Sequence, residues 1–196
     1  LKDSKTISYK LEGQNEQTKE SFGSLFNAYI WVALPLIYII LAALFSSYFQ
    51  PIIIMFVIPF GIIGAVLGHI LMGFELSMFS MIGIVALSGI VVNDSLVMVD
   101  FINRAVRVGT PLKEALLQAG ESRFRAIILT SLTTIAGLMP LMLETSLQAQ
   151  IIIPMTISVC FGLVASPILR LLFMPVLYHV LDDMNIFFHK IIKKKL

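Results

Sequence analysis

Cysteine, histidine and charge are all scarce in this chain. Its 196 residues include one cysteine, Cys160, and three histidines. A lone cysteine excludes an intrachain disulfide and any paired-cysteine metal site. Charged residues make up 13% of the chain and hydrophobic ones 58%. Soluble domains typically hold about 25% charged and about 45–50% apolar residues. A soluble fold has no means of hiding this much apolar surface, so the class is integral membrane protein. The mean hydropathy of +0.92 agrees. The ten methionines scatter without the clustering that soft-metal ligation requires, so neither a metal site nor a cofactor is expected. Lys and Arg fall mostly into three clusters outside the apolar runs. That arrangement speaks to topology across a bilayer and gives no reason to expect a nucleic-acid partner.

What the chain has in quantity is long apolar runs. About 20 apolar residues cross a bilayer, and five stretches qualify: 26–49, 52–72, 78–102, 124–143 and 151–178. Pro35 is expected to kink the first. Gln50-Pro51 is a break, with proline at the first position of the next helix. Gly64 and Gly68 form a small-xxx-small pair that lets another helix approach closely. Thr110-Pro111 reads as the start of a short helix with Leu112, Ala115, Leu116 and Ala119 on one face, stopped by Gly120 and lying along the membrane surface. The expected fold class is therefore all-α integral membrane: five transmembrane helices plus a short cytoplasmic surface helix. Residues 1–25 are expected to form a polar tail with a short strand or loop at Thr6–Leu11, and residues 181–196 a basic tail. The chain opens Leu1-Lys2-Asp3, so it reads as a piece of a longer polypeptide, with the polar tail as the remnant of a soluble domain.

Orientation follows from counting basic residues. The loop after the third span holds Arg104, Arg107, Lys113, Arg123 and Arg125, and the C-terminal tail holds Lys190, Lys193, Lys194 and Lys195. The connections around Glu75 and Glu144 contain neither Lys nor Arg. The N-terminus is thus expected outside and the C-terminus in the cytoplasm. Arg170, near the cytoplasmic end of the last span, is expected to snorkel toward the headgroups.

The third span carries the chemistry. It is apolar on all sides, yet holds Asn93, Asp94 and Asp100 in its second half. A central Asp costs about 2.5–3.5 kcal/mol on insertion scales. Carboxyl groups taken out of water hold protons more readily, and intramembrane Asp, Glu and His form proton relays in pumps. Asp94 is therefore the candidate protonatable group, as against a neutral hydrogen-bonded structural residue. Gly89, Asn93 and Asp100 share one face of this helix, with Gly89 as a packing position. Asp100 and Arg104 stand at i, i+4, the spacing of a surface ion pair. Thr130 lies in the fourth span, where hydroxyls most often bond their own helix backbone. His69 sits near the outer end of the second span and reads as an interface residue. An intramembrane aspartyl protease needs carboxylates facing each other from two helices, and Asp94 and Asp100 share one.

Three segments together resemble a known family: Gly-Ile-Val-Val-Asn-Asp-Ser-Leu-Val-Met-Val-Asp-Phe (89–101), Arg-Phe-Arg-Ala-Ile-Ile-Leu-Thr-Ser-Leu-Thr-Thr (123–134) and Gly-Leu-Met-Pro-Leu (137–141). The chain is similar, from about Gly13 onward, to the resistance–nodulation–division (RND) efflux transporters, in particular the hydrophobe and multidrug exporter branch of Gram-negative bacteria. The resemblance implies the last five of twelve transmembrane helices, half of a duplicated transporter in the inner membrane. It implies a proton-driven homotrimer that docks to a periplasmic adaptor and an outer-membrane channel. It also implies a relay shared with the remaining transporter half, with Asp94, Asn93 and Thr130 in it and Arg123 near the cytoplasmic end of the proton path. The sequence departs from the well-known drug exporters, which have Lys at the Asn93 position and Asn at the Asp94 position. Their lysine–carboxylate switch therefore cannot operate as such. Asn93-Asp94 instead resembles a half-copy of the paired-aspartate motif of the other repeat. A membrane assembly module without its own proton site, and RND relatives exporting lipid, protein or metal ion, are the alternatives.

Overall fold

The computed structural model describes residues 13–193, so the strand or loop expected at Thr6–Leu11 lies outside the described residues. Among those, every regular element is helical, and five helical stretches are long and apolar enough to cross a membrane.

The first stretch joins α1 (Gly13–Ala28) to α2 (Leu34–Phe45) through a π-helical turn at Tyr29–Ala33. Pro35 explains the turn. It offers no N–H to the carbonyl four residues back, and its ring crowds that carbonyl. The chain widens just ahead of it, and the Leu34 N–H donates to the Tyr29 carbonyl, five residues back. The kink expected at Pro35 thus takes the form of a π-bulge. Ser46, in the left-handed region at φ 49°, closes α2.

The second stretch is two helices, α3 (Gln50–Met55) and α4 (Ile58–Met72), where the sequence reading gave one. Pro51 and Pro59 each occupy the first turn of a helix, where the missing N–H leaves no hydrogen bond unmade. The overlooked break is thus the work of Pro59. α5 (Met78–Arg107) starts from a capping box in which the Ser77 and Ser80 side chains each accept the other's backbone N–H. Gln50 and Asn103 exchange two amide hydrogen bonds of 3.0 Å, tying the start of α3 to α5.

The segment expected as a separate surface helix is the first part of α6, which runs unbroken from Leu112 to Met142. Its apolar face forms as read, with Ala115, Leu116 and Ala119 buried, but Gly120 does not stop the helix. A glycine inside a helix costs only about 1 kcal/mol, and nothing in Glu-Ser-Arg-Phe-Arg after it prevents continuation. α7 (Leu147–Lys193) likewise runs straight past Pro154, Pro167 and Pro175. Prolines are tolerated in membrane helices because neighbouring helices and hydroxyl side chains satisfy the freed carbonyls.

The packing centres on α7, against which α4 and α5 both lie. Small residues make this approach close. A methyl group on Gly64 would stand 2.5 Å from Ala165 Cβ, and one on Gly83 2.6 Å from the Met155 carbonyl oxygen. At Gly68 it would collide with the Phe161 ring, and Leu87 of α5 fills the notch left by Gly162 of α7. Leu87, Val91, Met98, Val99, Ile102 and Leu163 form the buried centre.

Candidate functional site

α5 and α7 place the site. Asp94 lies beyond the midpoint of α5, one turn past the buried Val91 and one turn before the buried Met98. Its side chain is 17% exposed and reaches toward α7, where Arg170 is fully buried. A terminal guanidinium nitrogen of Arg170 donates to Asp94 Oδ2 at 3.5 Å. This corrects the sequence reading: Arg170 does not reach for headgroups but turns inward to a carboxylate on another helix. Desolvating a guanidinium without a counter-charge is prohibitive, and Asp94 is the carboxylate within reach.

The pair is incomplete. Charge-assisted bonds usually close to about 2.7–2.9 Å and arginine often binds carboxylates through two nitrogens, whereas here there is one contact. Arg170 Nε and Nη1 are buried and have no acceptor among the described residues.

The open side of Asp94 faces a cleft of about 150 Å³ between α5 and α6, lined by Asp94, Val97, Arg123, Ala126, Ile127 and Thr130. Three of the four proposed relay residues therefore share one cavity. Thr130 does not bond Asp94. Its hydroxyl reaches its own helix at the Ala126 and Ile127 carbonyls, both 3.0 Å away. Arg123 lies over the Phe101 ring at 5.5 Å, a cation–π distance, with its Nε buried and without a partner among the described residues. Asn93 is not gathered in. It is exposed and points about a quarter turn away from Asp94, because successive helical residues stand about 100° apart. The expected partnership of Asp94 with Asn93 and Thr130 is replaced by the pair with Arg170. Gly89 is on the same open face, with no atom within 4 Å of where a methyl would stand, so it packs against nothing in the described chain, unlike Gly64 and Gly68. Asp100 and Arg104 form the expected i, i+4 pair at 2.8 Å, largely exposed.

A second polar cluster sits at the other end of α5. His69, expected at an interface, is buried. Its Nδ1 is 2.9 Å from the Ala65 carbonyl and its Nε2 is 2.8 Å from Ser80 Oγ. A carbonyl only accepts, so Nδ1 donates to Ala65, and Nε2 shares a hydrogen bond with the Ser80 hydroxyl. Ser80 Oγ also accepts the Ser77 N–H, and Ser158 Oγ donates to the Ser80 carbonyl at 3.0 Å. Through these bonds α4, α5 and α7 are joined. The sequence signal was present in part: a histidine, paired serines at a helix start and a serine in the last span, with nothing to say that they meet. Among the described residues no cluster of His, Cys, Asp and Glu is arranged to hold a metal ion.

Comparison with known proteins follows the same lines. A solved crystal structure of a heavy metal efflux pump matches with a TM-score of 0.75 over 88% of this chain at 24% identity. At that identity the likeness speaks for the fold, and the chain spans 16% of the length of that pump. The family model of the AcrB/AcrD/AcrF family matches residues 2–182. With the match extending over nearly the whole sequence, the chain belongs to the AcrB/AcrD/AcrF family of RND efflux transporters.

Proposed function

We propose that the chain is the C-terminal membrane part of a proton-driven efflux pump that exports drugs or other hydrophobic and amphiphilic compounds, with Asp94 as a proton-carrying group. One observation carries the reading: an acid set in an apolar span beside a buried guanidinium still opens onto a cleft shared with Arg123 and Thr130. A carboxylate with no access to solvent exchanges no protons, and one fully in water couples to nothing. A membrane potential of ~100 mV supplies about 2.3 kcal/mol per charge moved. That is close to the cost of about 2.5–3.5 kcal/mol for an acid at mid-membrane, so proton uptake and a helix rearrangement are of matching size.

The working assembly on this reading is a homotrimer in the inner membrane, completed by the remaining transporter half, a periplasmic adaptor and an outer-membrane channel. The N-terminus is periplasmic and the C-terminus cytoplasmic. The test is the full-length pump in proteoliposomes, with export and internal pH followed together. Asp94→Asn is expected to lower both export and coupled proton entry by at least ~10-fold, the loss of a transition-state interaction of about 1.4 kcal/mol or more. Unchanged export would remove Asp94 from the mechanism and favour a membrane assembly role for these helices.

A second reading, metal-ion export, is favoured by the solved heavy metal efflux pump that shares the fold. The same vesicles separate the two. Hydrophobic dyes are expected to drive proton entry, and soft metal ions are not; the reverse result establishes the metal reading.

A further inference from the structure

Arg170 of α7 stands outside the proposed relay. The relay residues proposed from the sequence do not include it, yet it is the largest fully buried side chain of the described residues and the direct partner of Asp94. Resting on the proton-coupled reading above, we propose that Arg170 is a positioning residue of the pump: its fixed positive charge on α7 holds Asp94 of α5 as a carboxylate aimed into the cleft, and neutralisation of Asp94 releases α7 from α5.

Four features support this. First, the guanidinium is a fixed positive charge under all protein conditions. Second, the contact is a single one at 3.5 Å, with Nε and Nη1 still free of acceptors among the described residues. A guanidinium so held has donors ready for another acceptor when Asp94 is neutralised, whereas a two-nitrogen clamp would resist release. Third, the helices joined by the pair are the ones that pack tightly elsewhere, through Gly83 against Met155 and Leu87 into the Gly162 notch. A change at the pair is therefore passed to a close-packed interface, and such interfaces rearrange between discrete packings instead of yielding gradually. Fourth, the other cation at the cleft, Arg123, is engaged with the Phe101 ring and makes no ion pair with Asp94. The two arginines thus hold different places, Arg170 behind the acid and Arg123 at its open side.

The experiment uses the full-length pump with Asp94→Asn, Arg170→Met, the double variant and Arg170→Lys. Each is read by thermal unfolding, by export in proteoliposomes and by the infrared band of the Asp94 carboxyl group. Asp94→Asn and Arg170→Met are each expected to lower the melting temperature, and the double variant to regain most of that loss, because it leaves neither charge buried alone. Arg170→Met is expected to replace the carboxylate band with that of the neutral acid and to lower export by at least ~10-fold. Arg170→Lys, which keeps the charge, is expected to stay within about 3-fold of wild type. The double variant is expected to be stable and inactive. Strictly additive stabilities, or Arg170→Met with wild-type export and an unchanged carboxylate band, would overturn the inference. If Asp94→Asn is inactive but uncoupled to Arg170, the inference fails alone. If Asp94→Asn exports normally while the pair is coupled, the pair is a structural tie and both readings fall.

Discussion

Asp94 shows at the scale of single residues why a polar side chain in an apolar helix has to be followed to its partner. That Asp94 calls for an explanation was plain from the sequence, since a carboxyl group in an apolar span is costly. The partner was not, because Arg170 is 76 positions away and near the end of a run where arginine ordinarily reaches outward. Helical phase could place Arg170 on a face of α7, but not show that this face meets α5. The same holds for His69, whose burial depends on Ser80 being across the interface. A prediction follows for that cluster. Ser80→Ala removes the hydrogen-bond partner of His69 Nε2 and the acceptor of the Ser77 N–H together. The expected cost is about 1–2 kcal/mol, at the upper end for polar contacts between membrane helices. Ser158→Ala, which removes only a donor to a carbonyl already in a helix, is expected to cost about 0.6 kcal/mol. Thermal unfolding in detergent compares the two; equal losses would mean that the histidine is satisfied by some other group.

Among elements, α7 is the one the others depend on. The sequence made the spans legible because apolar length is a local property, and it marked Gly64 and Gly68 because small residues four apart have one obvious use. It did not reveal that Gly83 and Gly162 serve the same purpose, each alone in its helix turn, or that Gly89 meets nothing among the described residues. Breaks were less legible than spans. Pro59 divides the second span while Pro154, Pro167 and Pro175 leave α7 whole, a difference set by what surrounds each proline and not by the proline itself. The glycine contrast is measurable in the 196-residue chain. Gly83→Ala places a methyl 2.6 Å from a backbone oxygen that belongs to α7 and has little room to yield, so a loss of about 1–3 kcal/mol is expected, the usual cost of overpacking. Gly64→Leu is expected to separate α4 from α7 altogether. Gly89→Ala meets nothing and gains helix propensity, so unfolding should be unchanged or later by up to ~1 kcal/mol. A loss at Gly89 equal to that at Gly83 would show that the open face of α5 is covered in solution.

For the whole molecule the question is how this bundle stands in the membrane. The π-helical turn, α2 and α6 expose large apolar side chains, among them Trp31, Ile39, Leu129 and Leu132, which suits lipid or a neighbouring transporter half and not water. The bundle itself has no up or down; only the distribution of charge supplies one. Five basic residues between Arg104 and Arg125, against none near Glu75 or Glu144, are the ground for the proposed orientation, with the α5–α6 connection on the cytoplasmic side. The rarity of cysteine makes this directly measurable. Cys160 is buried, and replacing it with serine leaves a background without thiols in this segment. Lys113 and Glu144 are both exposed and lie near opposite ends of α6. In intact cells a membrane-impermeant maleimide is expected to label Glu144→Cys readily and Lys113→Cys only after the membrane is permeabilised. The opposite pattern would invert the chain and place the Arg123 end of the Asp94 cleft toward the periplasm. Protons driven inward by the membrane potential would then enter at the Arg123 end of the cleft, the end that the family resemblance implies is cytoplasmic.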